Sequence, residues 1–145
     1  MVSNILEPLC AYTKENRFKQ YFFDVGLLGA LSKLDPFVIL KYDYGSYKGY
    51  LAENFVAQEL VAADLSPLYC WEGKTSEIEF VLQTKFGFVP LEVKSGWVTQ
   101  SKSLQVYNKS FEPKKRIILS AKNVQSKDSL LHLPLYATSR LLLLT

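Results

Sequence analysis

The sequence predicts a mixed α/β sandwich in which a hairpin-rich sheet carries helices on both faces. A strand–turn–strand pattern covers residues 76–94, and an amphipathic helical pattern of about residues 50–64 precedes it. A second helical pattern, at about 102–110, is followed by an apolar strand at 116–120. The resulting order of helix, three strands, helix and strand fits one layered domain with a right-handed crossover. A chain of 145 residues also has the length of one domain.

The hairpin predicted at residues 76–94 has one apolar face and one charged face. Its two strands are joined by a turn centred on residues 84–87. Successive side chains of a strand point to opposite faces of a sheet, so the alternation of residue types sorts them. The apolar positions are Ile78, Phe80, Leu91 and Val93. The charged positions are Glu77, Glu79, Glu92 and Lys94.

Two carboxylates oppose each other in this register, in which Glu79 faces Glu92 and Glu77 faces Lys94. Directly opposed carboxylates repel unless a positive charge lies between them. Carboxylate oxygens completed by water suit Mg²⁺ or Mn²⁺, so Glu79 and Glu92 are candidate metal ligands. Lys94 would add a charge that orients or deprotonates a water, or stabilises an oxyanion. The alternative is a solvated hairpin face on which Glu77 and Lys94 form a weak ion pair.

The first half of the chain predicts two helices separated by a loop. Asp24 is placed to cap a helix at residues 25–33, and residues 37–44 are expected to be extended or loop-like. Residues 45–49 form a turn before the main helix at about 50–64. The apolar stripe of that helix is Leu51, Phe55, Val56 and Leu60.

Glu53 lies in the first turn of the main helix, at the edge of its apolar stripe. A helix N-terminus favours an anion, so a surface glutamate there needs no further reason. Glu59 lies nearer the stripe and is harder to explain as a surface residue.

The second half of the chain supplies the remaining strands. Residues 68–71 form a strand before the hairpin, and residues 116–120 are apolar enough to be a central parallel strand. Residues 131–136 are predicted to be a last strand or extended piece, and a short helix is expected to close the chain.

Composition excludes several classes of protein. The net charge of +3 is too mild to argue by itself for nucleic-acid binding. Cys10 and Cys70 are too few and too distant for a disulfide framework, and the single His132 excludes a histidine-based zinc site. The longest apolar run, Leu141 to Leu144, cannot span a membrane, and the N-terminus has no signal pattern. We therefore expect a cytoplasmic protein.

The order of these acidic residues resembles the PD-(D/E)XK nuclease superfamily over residues 49–120. In that superfamily the metal site combines an acidic residue on the first core helix, one on the second strand and an E-x-K on the third. Those places fall on Glu53, Glu79, Glu92 and Lys94. The resemblance implies a restriction-endonuclease-like fold, a mixed β-sheet core flanked by helices. The strand residue is usually Asp, and the longer Glu79 would require the metal geometry to adjust.

A narrower resemblance covers nearly the whole chain. It is to the C-terminal domain of unknown function that follows the ATPase module in many bacterial and archaeal AAA-type ATPases. The segments that carry it are 21–28, 49–60, 68–71, 77–81, 91–96 and 102–104. The sequence contains no Gly-x-x-x-x-Gly-Lys-Ser/Thr phosphate loop, so the resemblance implies that residues 1–145 are the C-terminal part of a longer ATPase chain.

The first functional hypothesis is a metal-dependent nuclease that acts on DNA. Glu79 and Glu92 would bind Mg²⁺ or Mn²⁺, with the Val93 carbonyl as a third ligand. Glu53 would assist through a water or a second metal, and Lys94 would orient the attacking water. The candidate phosphate contacts are Lys102, Gln105, Lys114, Lys115 and Arg116.

The second hypothesis is a non-catalytic module that docks DNA, a partner protein or the neighbouring ATPase. Aromatic side chains would supply its contact surface. These are Tyr42, Tyr44, Tyr47, Tyr50, Trp71 and Trp97. A nuclease predicts that the four site residues converge in one cleft with room for a metal, whereas a module predicts that they scatter or that other side chains fill the cleft.

Overall fold

A six-stranded mixed sheet lies at the centre of the structure, as expected for a mixed α/β domain. The computed structural model describes residues 1–2, 4–14, 16–41 and 45–144. The strands are β1 (Tyr69–Glu72), β2 (Glu77–Thr84), β3 (Gly87–Val93), β4 (Arg116–Ser120), β5 (Gln125–Lys127) and β6 (Leu130–Pro134). Their order across the sheet is β1-β2-β3-β4-β6-β5. Strands β1, β2 and β3 run antiparallel, whereas β4 is parallel to both β3 and β6, which confirms the predicted central parallel strand.

The helices cover both faces of this sheet. They are α1 (Val25–Leu31), α2 (Pro36–Leu40), α3 (Tyr47–Ala62) and α4 (Lys102–Phe111), with 3₁₀ helices at Leu9–Tyr12 and Leu135–Leu144. The predicted cap of α1 is confirmed, since the Asp24 carboxylate accepts a hydrogen bond from the Leu27 amide at 2.8 Å. Within the described ranges no helix combines the length and the apolar character that crossing a membrane requires.

The loop expected at residues 37–44 is instead partly helical. Helix α2 covers Pro36–Leu40, because Asp35 accepts a hydrogen bond from the Phe37 amide and Pro36 fixes a helical φ in the first turn. Tyr42 and Tyr44 lie outside the described residues. Helix α3 also begins three residues earlier than predicted, at Tyr47.

The buried stripe of α3 is rotated from the predicted one. Burial of the predicted Val56 and Leu60 is confirmed, but Leu51 and Phe55 are only half-buried, and Ala52 instead joins Val56 and Leu60 in the packed row. Their spacing of four residues places them on one face of the helix. The prediction favoured the bulky side chains, but the small alanine lets the helix approach the sheet closely.

Two apolar layers enclose the sheet. The layer between the sheet and α3 contains buried side chains of α3, β2, β3 and β4 together with Leu141. The layer on the α4 side contains Leu104 and Tyr107 of α4 and buried residues from the N-terminal segment. Trp71 packs there edge-on against Tyr107, with ring centroids 5.3 Å apart.

The prediction that Ile78 and Phe80 share one apolar face is wrong. Phe80 packs in the α3 layer, whereas Ile78 packs in the α4 layer. The cause is a register shift between β1 and β2, in which Tyr69 pairs with Val81 but Trp71 pairs with Ile78. Strand β2 thus contains one extra residue in this interval, a β-bulge that interrupts the alternation of faces. Glu79 lies inside that interval.

The C-terminal part differs from the sequence expectation in detail. Strand β5 was not predicted, because its three residues are polar and exposed and give no apolar alternation. Strand β6 ends at Pro134, and the predicted closing helix is the 3₁₀ helix from Leu135 to Leu144.

The segment before α1 is joined to α3 by side-chain hydrogen bonds to its backbone. The buried Asn54 accepts from the Phe22 amide at 2.7 Å and donates to the Phe22 carbonyl at 3.2 Å. Gln58 accepts from the Val25 amide at 2.8 Å. These three hydrogen bonds fix the path of this segment along α3.

We expect Asn54→Ala to destabilise the domain by about 2 kcal/mol, since it leaves the Phe22 amide and carbonyl unpaired in a partly buried place. Urea denaturation would measure the free energy of unfolding. Asn108→Ala on α4 is the matched control. Equal losses in the two variants would contradict the role assigned to Asn54.

Candidate functional site

Strands β2 and β3 bring the predicted pair of carboxylates to the end of the hairpin. The paired residues run from Thr84–Gly87 to Phe80–Leu91, which confirms the predicted register. The next position in this register places Glu79 beside Glu92. Here the regular pairing ends, and the Glu79 carboxylate accepts a hydrogen bond from the Val93 amide at 3.4 Å. The β-bulge in β2 therefore coincides with the place where the two glutamates meet.

Glu92 is a buried carboxylate with one unpartnered oxygen. Only 2% of its surface is exposed. Its Oε1 accepts a hydrogen bond from Lys94 Nζ at 2.6 Å, while its Oε2 is buried with no hydrogen-bond partner. Lys94 is anchored in turn, since its amide donates to the Leu119 carbonyl at 2.8 Å. A buried oxygen without a partner is costly, so this position is suited to an added cation or proton.

The charge of Glu79 responds to its crowded surroundings. Burial raises the pKa of Glu79 to about 8, and the negative charges of Glu92 and Glu53 act in the same direction. A backbone hydrogen bond and the Lys94 ammonium act in the opposite direction but do not compensate. Glu79 therefore holds a proton at neutral pH in the absence of another cation.

Glu53 of α3 is engaged by two side chains from the N-terminal segment. Its Oε1 accepts hydrogen bonds from Lys19 Nζ and from the Tyr21 hydroxyl, both at 2.6 Å. Lys19 also forms an ion pair with Glu77 of β2. Glu77 was expected to face Lys94, but in the described residues its ion pair is with Lys19, and Lys94 pairs with Glu92.

Lys19 and Tyr21 are site residues that the sequence did not reveal. Burial would lower the pKa of Lys19, but its hydrogen bonds with Glu53 and Glu77 outweigh burial and hold the pKa above its usual range. Burial and then the hydrogen bond to Glu53 raise the pKa of the Tyr21 hydroxyl. Their contacts with Glu53 cross 34 and 32 residues of chain, so no local pattern could indicate them.

A cavity of about 490 Å³ opens beside the Glu53 carboxylate. Its charged wall is formed by Lys19, Glu53 and Glu77, and its aromatic wall includes Tyr47 and Tyr50. Tyr50 is 66% exposed and lies with its ring centroid 5.8 Å from that of Tyr47. The cavity is large enough for a small planar group and opens Glu53 and Glu77 to solvent, whereas Glu79 and Glu92 do not line it.

The aromatic surface expected of a docking module is only partly present. Trp71 is buried at 5% exposure and packs in the α4 layer, so it does not contribute to that surface. Trp97 is 67% exposed and Tyr50 is also exposed.

The predicted nucleic-acid contacts divide into two groups. Lys102 and Gln105 are exposed on α4. Lys114 and Lys115 lie toward the other end of β3, because Lys114 lines a hollow with Phe88, roughly 13 Å along the strand from Glu92, whereas Arg116 begins β4 level with the middle of β3. Lys115 Nζ lies 4.1 Å from the Phe86 ring centroid, and Arg116 donates to the Ser129 hydroxyl at 2.9 Å. The fold does not bring Lys114 or Lys115 to the acidic cluster.

The carboxylates of Glu79 and Glu92 could supply two ligands to a hard cation whose other ligands are water molecules. Within the described ranges no group of three or more His, Cys, Asp or Glu side chains is arranged to hold a metal ion. Mg²⁺ is commonly bound through one or two carboxylates with water completing the shell. Glu79 and Glu92 provide such a pair, and the unpartnered Glu92 Oε2 is the oxygen available for it.

Comparison with known protein families finds a match, which covers the sheet and the two helices α3 and α4 almost completely. Residues 48–136 match the family described as "Domain of unknown function (DUF4143)". The match covers more than half of the chain, so the chain belongs to this family. No curated protein and no solved structure matches the chain. The resemblance to PD-(D/E)XK nucleases therefore stays a prediction, and Lys19 and Tyr21 lie outside the matched range.

Glu79→Gln should become increasingly more stable than the wild type as the pH rises from 5 to 8. In the wild type the unfolded carboxyl ionises near 4.5, whereas the folded one keeps its proton to about 8. Stability is therefore fully present below pH 4.5 and is lost as the pH rises through 8. The neutral amide removes this loss, which is of order 3 kcal/mol.

Urea denaturation with a chelator, at several pH values between 5 and 9, measures this difference. Glu59→Gln on α3 is the control, because it also replaces a carboxylate by an amide but at another position. A difference between Glu79→Gln and the wild type that does not change with pH would contradict the raised pKa.

Proposed function

We propose that this DUF4143 domain binds a divalent cation, Mg²⁺ or Mn²⁺, through Glu79 and Glu92 and hydrolyses phosphodiester bonds in DNA. The observation that carries the proposal is the buried Glu92, with one oxygen on Lys94 and the other unpartnered, beside the crowded Glu79. Structural carboxylates are normally satisfied by hydrogen bonds, and this one is left half free.

The side chains of this chain have separate parts in the proposed reaction. Glu79 and Glu92 hold the cation, which when bound lowers the pKa of a coordinated water and neutralises charge on the phosphate. Lys94, with 30% of its side chain exposed, is held by Glu92 Oε1 and can orient the attacking water. Glu53 is already engaged by Lys19 and Tyr21, so it acts through its negative charge on Glu79 rather than as a ligand.

The DNA would approach over α4. Lys102 and Gln105 are exposed on this helix and are the proposed phosphate contacts. Lys114 and Lys115 lie at the other end of β3 and would contact a more distant part of the DNA strand, and Arg116 is engaged by the Ser129 hydroxyl.

The resemblance to C-terminal domains of AAA-type ATPases supports a partner proposal. We infer that the domain works beside such an ATPase module in the cytoplasm, where its two unpaired cysteines, Cys10 and Cys70, stay reduced.

A second candidate function is a non-catalytic docking module. The observation that favours it is the filling of the Glu53 side of the cluster by Lys19 and Tyr21, together with the exposed Trp97 and Tyr50. In this alternative the carboxylates of the cluster form structural ion pairs with Lys19 and Lys94. The domain then binds DNA or the ATPase module and does not cleave DNA.

Calorimetric titration with Mn²⁺ is the first test, because it requires no choice of substrate. The wild type should bind Mn²⁺ saturably, and Glu92→Ala should lose at least about 10-fold in affinity because a ligand oxygen is removed. Glu59→Ala, which removes a carboxylate elsewhere, should bind like the wild type. Equal binding by all three proteins would exclude Glu92 as a ligand.

Lys94→Ala should lower the cleavage rate of DNA in Mn²⁺ by about 100-fold or more, as expected when the group that orients the water is removed. Gel assays on single- and double-stranded DNA measure the rate, and circular dichroism checks the fold. Lys109→Ala, an exposed lysine at the end of α4, is the control. Binding of DNA with no cleavage by the wild type would favour the docking module.

A further inference from the structure

We propose that Lys19 serves as a permanent second cation of the acidic site, so that the site accepts one divalent ion and not two. The inference rests on the proposed binding of a divalent cation by Glu79 and Glu92. It concerns the other half of the cluster, where Glu53 and Glu77 lie.

The ammonium of Lys19 occupies the position that a second metal would need. Its Nζ is 2.6 Å from Glu53 Oε1 and also pairs with Glu77. The Tyr21 hydroxyl donates to the same Glu53 oxygen at 2.6 Å. A cation that used Glu53 Oε1 would have to displace both donors, and one placed between Glu53 and Glu77 would have to displace the Lys19 ammonium.

Lys19 is held in place by the backbone that follows it. Asn54 bonds both the amide and the carbonyl of Phe22, and Gln58 bonds the amide of Val25. Only 21% of the Lys19 side chain is exposed. A flexible surface lysine would be displaced at little cost, but this one belongs to a segment that is bonded to α3.

The balance of charge agrees with one divalent ion. The charged groups are the carboxylates of Glu53, Glu77, Glu79 and Glu92 and the ammonium groups of Lys19 and Lys94. With all six ionised, four negative and two positive charges leave two negative charges, which one divalent ion neutralises. Two divalent ions would leave an excess of positive charge in a partly buried place, which is unfavourable.

The test is the stoichiometry of Mn²⁺ binding, measured by calorimetry on the whole 145-residue chain. We expect one Mn²⁺ per wild-type chain and two per Lys19→Met chain, because methionine keeps the stem and removes the charge. Lys85→Met is the matched control, since Lys85 lies in the β2–β3 turn at the far end of the hairpin, where its ammonium donates to the Leu143 carbonyl, and it should bind one. Lys19→Met combined with Glu53→Gln should return to one.

Each outcome decides between the two proposals. If the wild type and Lys19→Met both bind one ion, the role of Lys19 is overturned and the proposed function stands. If the wild type binds two ions, the role of Lys19 is also overturned. No binding to the wild type overturns the proposed metal site and the inference with it.

A second measurement decides the matter if Lys19→Met fails to fold. Glu53→Gln in the wild-type background should still bind one Mn²⁺ with a loss of affinity well under 10-fold, because Lys19 and Tyr21 already hold Glu53 Oε1 and only its charge beside Glu79 is removed. A loss of 10-fold or more would make Glu53 a ligand and overturn the inference.

Discussion

The repulsion between carboxylates at the end of the β2–β3 hairpin is the constraint on which the site depends. The register of the hairpin brings Glu79 and Glu92 together, and burial prevents water from screening them. The chain balances this charge in three ways. Glu92 is paired with Lys94, Glu79 retains a proton, and Glu53 is paired with Lys19. One oxygen of Glu92 is still left without a partner, and this is what distinguishes the cluster from a satisfied ion-pair network.

The N-terminal segment completes this arrangement from outside the region that defines the family. Residues 48–136 supply the hairpin, α3 and α4, but Lys19 and Tyr21 come from the segment that precedes α1. Hydrogen bonds from Asn54 and Gln58 hold that segment on α3. The position of the second ammonium is therefore set by the same helix that carries Glu53, and the two cannot move independently.

The arrangement of charge over the rest of the surface bears on both candidate functions. Lys114 and Lys115 lie toward the end of β3 that is opposite the acidic cluster, so a nucleic acid that touched both would have to run along the sheet. A docking partner could use the exposed Tyr50 and Trp97 without reaching the buried Glu92. The two functions thus require different surfaces, and the binding of a metal ion separates them most directly.

The sequence by itself determined the order of elements, the register of the hairpin and the meeting of Glu79 with Glu92, because alternation and a short turn are local properties. It also determined the cap at Asp24, whereas only the structure showed that Asp35 caps a helix. The rotated stripe of α3 and the bulge that separates Ile78 from Phe80 required the tertiary structure, since packing against neighbouring layers sets them. The ion pairs of Lys19 with Glu53 and Glu77 were likewise decided only by the tertiary structure, because they join residues more than 30 positions apart that no periodicity connects.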